Sequence, residues 1–313
     1  MRLVLAGSPA AAVPTLTALA ASPDHEIVAV LTRDDTPQGR RRVLTPTPVA
    51  VEAERLGLPV VKARRLDDEV TARLLALEPD LGVVVAYGAL FREPLLGGPR
   101  LGWVNLHFSL LPRWRGAAPV QRALVAGDAV TGATVFRLVP ELDAGAVLGV
   151  LEHPLTGTET AGQLLGELAV SGAGLVVDVV DALAAGTAEP REQEGEVTLA
   201  PKLTLDDGRL DLSAPARAVL DRWRGVTPEP GAHAMHAGAR LKVVGLRAAE
   251  DAPDLGPGRL LVERRRVLVG TGTDPLELVR VQPAGRTAMA ATDWARGLST
   301  GCLLYTSPSP RDS

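Results

Sequence analysis

The chain has 313 residues, 46% hydrophobic and 22% charged, with a net charge of −4 and one cysteine, Cys302. That length allows two domains with separate cores, while a lone cysteine excludes an internal disulfide or a thiolate-built metal site. No apolar run reaches the roughly 18 residues of a membrane span, and the mildly acidic balance is not that of a domain gripping nucleic acid by charge alone. Residues 1–203 carry 18 basic and 24 acidic side chains and residues 204–301 carry 14 and 12, so an RNA partner is compatible with the charge but not demanded by it.

The N-terminus opens directly as a short buried strand, Leu3-Val4-Leu5-Ala6. It shows no basic segment leading into an apolar stretch and cleavage site, so the cytoplasm is the expected compartment. Further apolar runs follow at 27–30, 60–61, 81–85 and 103–104, with helices expected near 14–21, 48–56 and 67–77, the first opening with Pro14 at a helix start. Continuous rather than alternating hydrophobicity marks strands covered on both faces, hence a parallel sheet in a doubly wound, Rossmann-like α/β domain. The opening loop Gly7-Ser8-Pro9 lacks the G-x-G-x-x-G that brings backbone close to a dinucleotide pyrophosphate, which disfavours a nicotinamide enzyme. Residues 134–139 and 147–151 read as later strands, and a long helix from about 160 to 185 closes the domain. Residues 187–203 are polar and Pro-containing and read as a linker. Beyond them a helix near 214–224 precedes short β-like runs at 241–244, 259–262, 266–269 and 276–279, punctuated by Gly and Pro as in a small OB-like barrel. The expected organisation is a catalytic domain over 1–188, a linker over 189–203 and a smaller C-terminal OB-like β-barrel domain over 204–301. The last twelve residues, CLLYTSPSPRDS, match nothing before them and are set aside as a non-native tail (302–313).

The chemistry concentrates in NLHFSLLPRWRG (105–116) and LDAG (142–145). Asn105, His107 and Ser109 follow an apolar run at alternate positions, which an extended segment presents on one side. A carboxamide, an imidazole and a hydroxyl emerging together at the end of a buried strand suit an active site at the edge of an α/β sheet. Asp143, in a Gly-flanked turn, supplies the carboxylate such an imidazole would need. Blander readings exist for each: a structural histidine bonded to Asn105, an aspartate that only caps a turn, a serine that caps the turn after it.

The block NLHFSLLPRWRGAAPVQRAL (105–124) with LDAG, preceded by VVVAYGAL (83–90), resembles the 10-formyltetrahydrofolate-dependent formyltransferases, most of all their tRNA-directed members. The likeness runs from Met1 to about Trp294 and includes TPTPVAVEAERLGLPV (45–60), LAPKLTLDDGRLD (199–211) and TPEPGA (227–232). It implies transfer of a formyl group from 10-formyltetrahydrofolate to the α-amine of initiator methionyl-tRNA, without a metal. Negative charge then builds on the formyl oxygen, for which the resemblance offers Asn105 and a protonated His107 as donors, with Asp143 raising the imidazole pKa and shuttling protons. It also makes Ser109, Leu110, Leu111 and Pro112 part of the folate-binding wall and brings the backbone at Tyr87, Gly88, Ala89 and Leu90 to the pterin. Arg40, Arg41 and Arg42 fall on the loop that enters the acceptor stem in such enzymes, and Lys202 is a further tRNA contact. Arg264-Arg265-Arg266, at an expected hairpin, is either a phosphate contact or a solvated turn. The expected partners are thus the folate and initiator methionyl-tRNA, with no membrane and no second subunit. The chain departs from the usual pattern at Ala10-Ala11-Ala12 and at His233, where an aromatic is usual, and at Arg41, where a glycine is usual. Rival readings keep the fold but change the acceptor to a nucleotide-sugar amine or glycinamide ribonucleotide, or lose turnover and retain folate or RNA binding.

Overall fold

The computed structural model describes residues 1–39, 42–298 and 303–304. The chain divides into two compact units: Met1–Pro119 with Val130–Pro154 and Leu165–Pro201, and Val120–Ala129 with Leu155–Leu164 and the chain from Lys202 onward.

In chain order the elements up to residue 185 are β1 (Arg2–Gly7), α1 (Val13–Ala20), β2 (Glu26–Thr32), β3 (Thr36–Gln38), β4 (Val43–Thr45), α2 (Pro48–Arg55), β5 (Val60–Lys62), α3 (Asp68–Leu75), β6 (Leu81–Val85), β7 (Trp103–His107), α4 (Pro119–Ala126), β8 (Val130–Arg137), β9 (Val147–Pro154) and α5 (Ala161–Ala185). Seven strands form one sheet in the order β5-β2-β1-β6-β7-β8-β9. The first five run parallel, as their unbroken apolar runs require, and Leu3–Ala6 and all of β6 are buried. β8 alone runs against the rest, antiparallel to both β7 and β9, and the segment 138–146 turns the chain directly from β8 into β9 without a helical crossover. Helix starts follow local chemistry: Thr47 accepts from the Ala50 N–H ahead of Pro48, and Asp67 from the Val70 N–H. The chain builds outward from β1 through β2 to β5, then crosses to β6 on the other side of β1. Such a switch opens a crevice beyond the carboxyl ends of the strands.

α5 corrects one expectation. By length and composition its 25 residues would cross a membrane. Its apolarity has a plainer cause, since Leu168, Val176, Val180 and Leu183 recur on one buried face. The helix approaches β7 so closely that a Cβ at Gly172 would lie 3.1 Å from the Leu106 side chain. Residues 191–200, within the segment expected to be a linker, are joined to the first unit: Arg191 bridges Val147, and Leu199 runs beside Arg115.

The second unit holds α6 (Ala216–Gly225), β10 (His233–His236), β11 (Ala239–Ala248), β12 (Leu260–Val262), β13 (Val267–Val269), β14 (Leu276–Pro283), β15 (Met289–Ala290) and α7 (Ala291–Ala295). Its strands pair antiparallel in the order β10-β11-β14-β13-β12, with β15 also on β14, an open half-barrel that agrees with the OB-like expectation. Val219 of α6 packs in one core with Leu241, Val243, Val267, Leu276 and Val281. Leu304 belongs to that core and Leu303 bridges Arg259, so two residues of the segment set aside as a tail take part in the fold. Arg264 and Arg265 are exposed in the turn between β12 and β13, while Arg266 is engaged with Glu263 and the Glu250 and Asp251 carbonyls.

Candidate active site

β7 delivers Asn105 and His107 to a cavity beyond the carboxyl ends of β6 and β7. Asn105 is half-buried, and its carboxamide has no hydrogen-bond partner among the described residues. His107 is buried. Its Nε2–H donates to the Trp114 carbonyl at 2.8 Å. A carbonyl only accepts, so Nε2 carries a proton, and in the neutral ring Nδ1 is left with the lone pair.

That Nδ1 lies 3.8 Å from Asp143 Oδ2, close enough to feel the charge but too far for a hydrogen bond. Burial pushes the His107 pKa below its ordinary value, outweighing the opposing pull of Asp143 and the Trp114 carbonyl. The expectation that Asp143 raises the imidazole pKa is therefore corrected: burial outweighs it. Edge-on packing of the ring against Phe136 contributes to the desolvation that decides it.

Asp143 sits in the turn between β8 and β9 in the left-handed region, at φ 46°. Its Oδ2 accepts the Gly116 N–H at 2.7 Å. The flanking motif glycines answer backbone demands. Gly116 has φ 122°, and a Cβ there would lie 2.8 Å from the Ala200 carbonyl oxygen; at Gly145 a Cβ would lie 1.9 Å from the Arg137 carbonyl oxygen. Asp143 is a turn residue, as the bland reading had it, and its carboxylate also faces the imidazole.

The cavity holds about 430 Å³. Its walls are mostly apolar, with Val84, Leu90, Phe91, Phe136, Val139 and Leu142 around Asn105, His107 and Asp143. Tyr87, Gly88, Ala89 and Leu90 all line it. The Tyr87 hydroxyl donates to the Ala63 carbonyl, and burial pushes its pKa up to about 12. Sequence reading missed Arg33, whose Nε and Nη2 donate to the Tyr87 and Gly88 carbonyls at 3.2 and 2.6 Å and so brace this wall.

Ser109, Leu110, Leu111 and Pro112 are placed elsewhere and do not line the cavity. Ser109 is fully buried and donates to the Arg113 carbonyl. The Thr134 hydroxyl donates to the Ser109 carbonyl and accepts the Leu111 N–H, tying the loop after β7 to β8. Arg42 is exposed at φ 50° beside exposed Val43 and Leu44 of the β3–β4 hairpin. Arg40 and Arg41 lie outside the described residues. Lys202 is exposed at the start of the second unit's main segment. No group of three or more His, Cys, Asp or Glu among the described residues is arranged to hold a metal.

Residues 1–180 match the formyl transferase family, and residues 202–299 match the formyl transferase C-terminal domain. A methionyl-tRNA formyltransferase of Leifsonia xyli subsp. xyli is 60% identical over 97% of this chain and 100% of its own length. Another, from Clavibacter sepedonicus, is 58% identical over 96% of this chain and 98% of its own. Among solved structures, an N-formyltransferase from Helicobacter canadensis with folinic acid and dTDP-3-aminofucose shares the fold at a TM-score of 0.66 and 14% identity, covering 90% of this chain and 98% of that one.

Proposed function

The chain belongs to the formyl transferase family, and on that premise we infer that it transfers the formyl group of 10-formyltetrahydrofolate to the α-amine of initiator methionyl-tRNA, giving N-formylmethionyl-tRNA for translation initiation. One observation carries the reading to the atoms: an unengaged carboxamide, an imidazole held by its Nε2–H and a carboxylate meet in one apolar cavity.

A pterin needs a flat apolar slot edged by backbone polar groups, which the small residues Ala86, Gly88 and Ala89 allow. The folate supplies a formyl group on nitrogen; this chain's residues do the rest. Asn105 has donors to spare for the formyl oxygen as negative charge builds there, a contribution of about 2.7–4 kcal/mol for one such group. His107 Nδ1, holding a free lone pair, accepts the proton that the attacking amine must lose. Asp143 stabilises the imidazolium so formed, and the ring passes the proton to the departing folate nitrogen. One C–N bond forms, one breaks, and one proton is relayed through a single ring nitrogen. Aid of this kind is worth roughly 10²–10⁴ in rate.

On the tRNA side, the basic run Arg40-Arg41-Arg42 has the chemistry for bidentate phosphate binding and stacking on unpaired bases, and Lys202 adds a further contact. The catalytic domain spans 1–188, followed by a tRNA-holding domain over 204–301, and the enzyme acts as a cytoplasmic monomer without membrane attachment. The test is a direct comparison of acceptors with 10-formyltetrahydrofolate as donor. Charged initiator tRNA is expected to be formylated and a free nucleotide-linked amino sugar not; the reverse outcome would replace the tRNA by the sugar.

A further inference from the structure

Two hydrogen-bond routes run from one short segment to the two members of the imidazole–carboxylate pair. The segment, residues 191–200, is fixed at both ends by backbone pairs. Arg191 exchanges bonds of 2.7 and 2.9 Å with Val147; the Arg115 N–H donates to the Thr198 carbonyl at 2.9 Å and the Ala200 N–H to the Arg115 carbonyl at 2.7 Å.

Between these anchors Gln193 meets the Asp143 turn. Its Nε2 donates to the Asp143 carbonyl at 2.8 Å and to the Gly145 carbonyl at 2.9 Å. Its Oε1 accepts from Arg115 Nε at 3.1 Å and Nη2 at 2.6 Å. This arrangement permits one orientation of the amide. A flip would set its oxygen against two carbonyls and its NH₂ against a guanidinium. What Gln193 holds is a non-glycine residue in the left-handed region, a conformation that its surroundings must support.

Thr198 reaches the imidazole by one intermediary. Its Oγ1 accepts the Trp114 N–H at 2.9 Å. Trp114 is itself at φ 62°, and its carbonyl takes the His107 Nε2–H. The same peptide segment therefore supports both the position of the carboxylate and the tautomer of the ring.

Resting on the formyl-transfer reading above, we propose that Gln193 and Thr198 are positioning residues of the reaction: Gln193 holds the Asp143 turn against His107, and Thr198 keeps the Trp114 carbonyl on His107 Nε2 so that Nδ1 remains the proton-relaying nitrogen. Neither lines the cavity.

The test uses the full-length enzyme with Gln193→Met, Thr198→Val and, as a control, exposed Glu194→Gln. Gln193→Met keeps the length and removes every donor and acceptor; its kcat is expected to fall 10- to 100-fold, with KM for folate and tRNA changed less than twofold. Thr198→Val keeps the shape and loses the acceptor. Nitrogen-15 spectra of the His107 ring are expected to show the Nε2–H form in the parent and a mixture of tautomers in this variant. Glu194→Gln should match the parent in both readouts. A Gln193→Met enzyme with kcat within twofold of the parent overturns the role of Gln193, as does a raised KM with kcat intact. An unchanged tautomer in Thr198→Val overturns that of Thr198. The ring spectra need no turnover, so a parent that fails to formylate tRNA sinks the functional reading and leaves this inference open to its own refutation. Should Gln193→Met not fold, a tautomer shift in Thr198→Val supports the segment's role and an unchanged tautomer overturns it.

Discussion

Replacing Asn105 by alanine separates catalysis from stability. The side chain is half-buried at the cavity, its carboxamide bonds to nothing among the described residues, and the backbone ladder to Val84 and Phe136 does not depend on it. Truncation therefore orphans no polar partner and opens its space to a cavity water can enter, so the change in stability is expected to stay within about 1 kcal/mol. Catalysis loses a donor aimed at charge that exists only in the transition state. The expected loss is about 2.7–4 kcal/mol, or 10²–10³ in kcat, with both KM values within a few-fold. Single-turnover formylation at saturating folate and tRNA measures the first quantity, and urea unfolding the second. A loss below tenfold, or a raised KM with kcat intact, would refute the assignment of Asn105 to the formyl oxygen.

The pH profile follows from the imidazole. His107 works as the neutral base and burial holds its pKa below the ordinary value, so kcat should rise with pH through that depressed value and level off above it. In Asp143→Asn the charge opposing burial is gone; the acid limb should move to still lower pH while the plateau drops by about 10² or more. An upward move would contradict this account. Glu159 supplies a stability test in the second unit. Burial works against its charge, but the Thr156 hydroxyl and amide and the Gly157 amide hold its pKa down at about 2. A folded value below the unfolded one stabilises above the ordinary carboxylate range and is lost as pH falls through it toward 2. The contribution amounts to about 3 kcal/mol at neutral pH. Glu159→Gln should narrow the gap in urea midpoint between pH 7 and pH 3; an undiminished gap counts against the network. Gly116→Ala puts a Cβ 2.8 Å from the Ala200 carbonyl at a φ that alanine avoids, so a loss of about 1–3 kcal/mol and reduced kcat are expected. A variant as stable as the parent would show that this backbone is free to adjust.

Much of this was legible in the chain. β1, β2, β6 and β7 announce themselves because strands buried on both faces leave unbroken apolar runs, and Asn105 and His107 stand out because alternate polar residues interrupt one. Other parts act through tertiary closure and leave no local trace. Gln193 sits in a polar, Pro-containing stretch with no periodicity, and its partners are carbonyls about fifty residues away. The depressed pKa of His107 owes much to desolvation, and Phe136, distant in sequence, joins in it, whereas the sequence displays only the carboxylate that would raise it. α4 escaped notice because eight residues beginning at Pro119 lie within the catalytic block and carry little periodic signal. The β3–β4 hairpin escaped because its three-residue strands are exposed and pattern-free.

Asn105 and His107 stand in the interior of the seven-stranded sheet, but Asp143 hangs from its margin. β9 has neighbours in the sheet on one side only, contains no fully buried residue, and meets the chain on its outer side at Val147. Marginal strands fray before central ones. Warming should therefore silence the enzyme by detaching its carboxylate while the parallel strands remain intact, and inactivation would outrun melting.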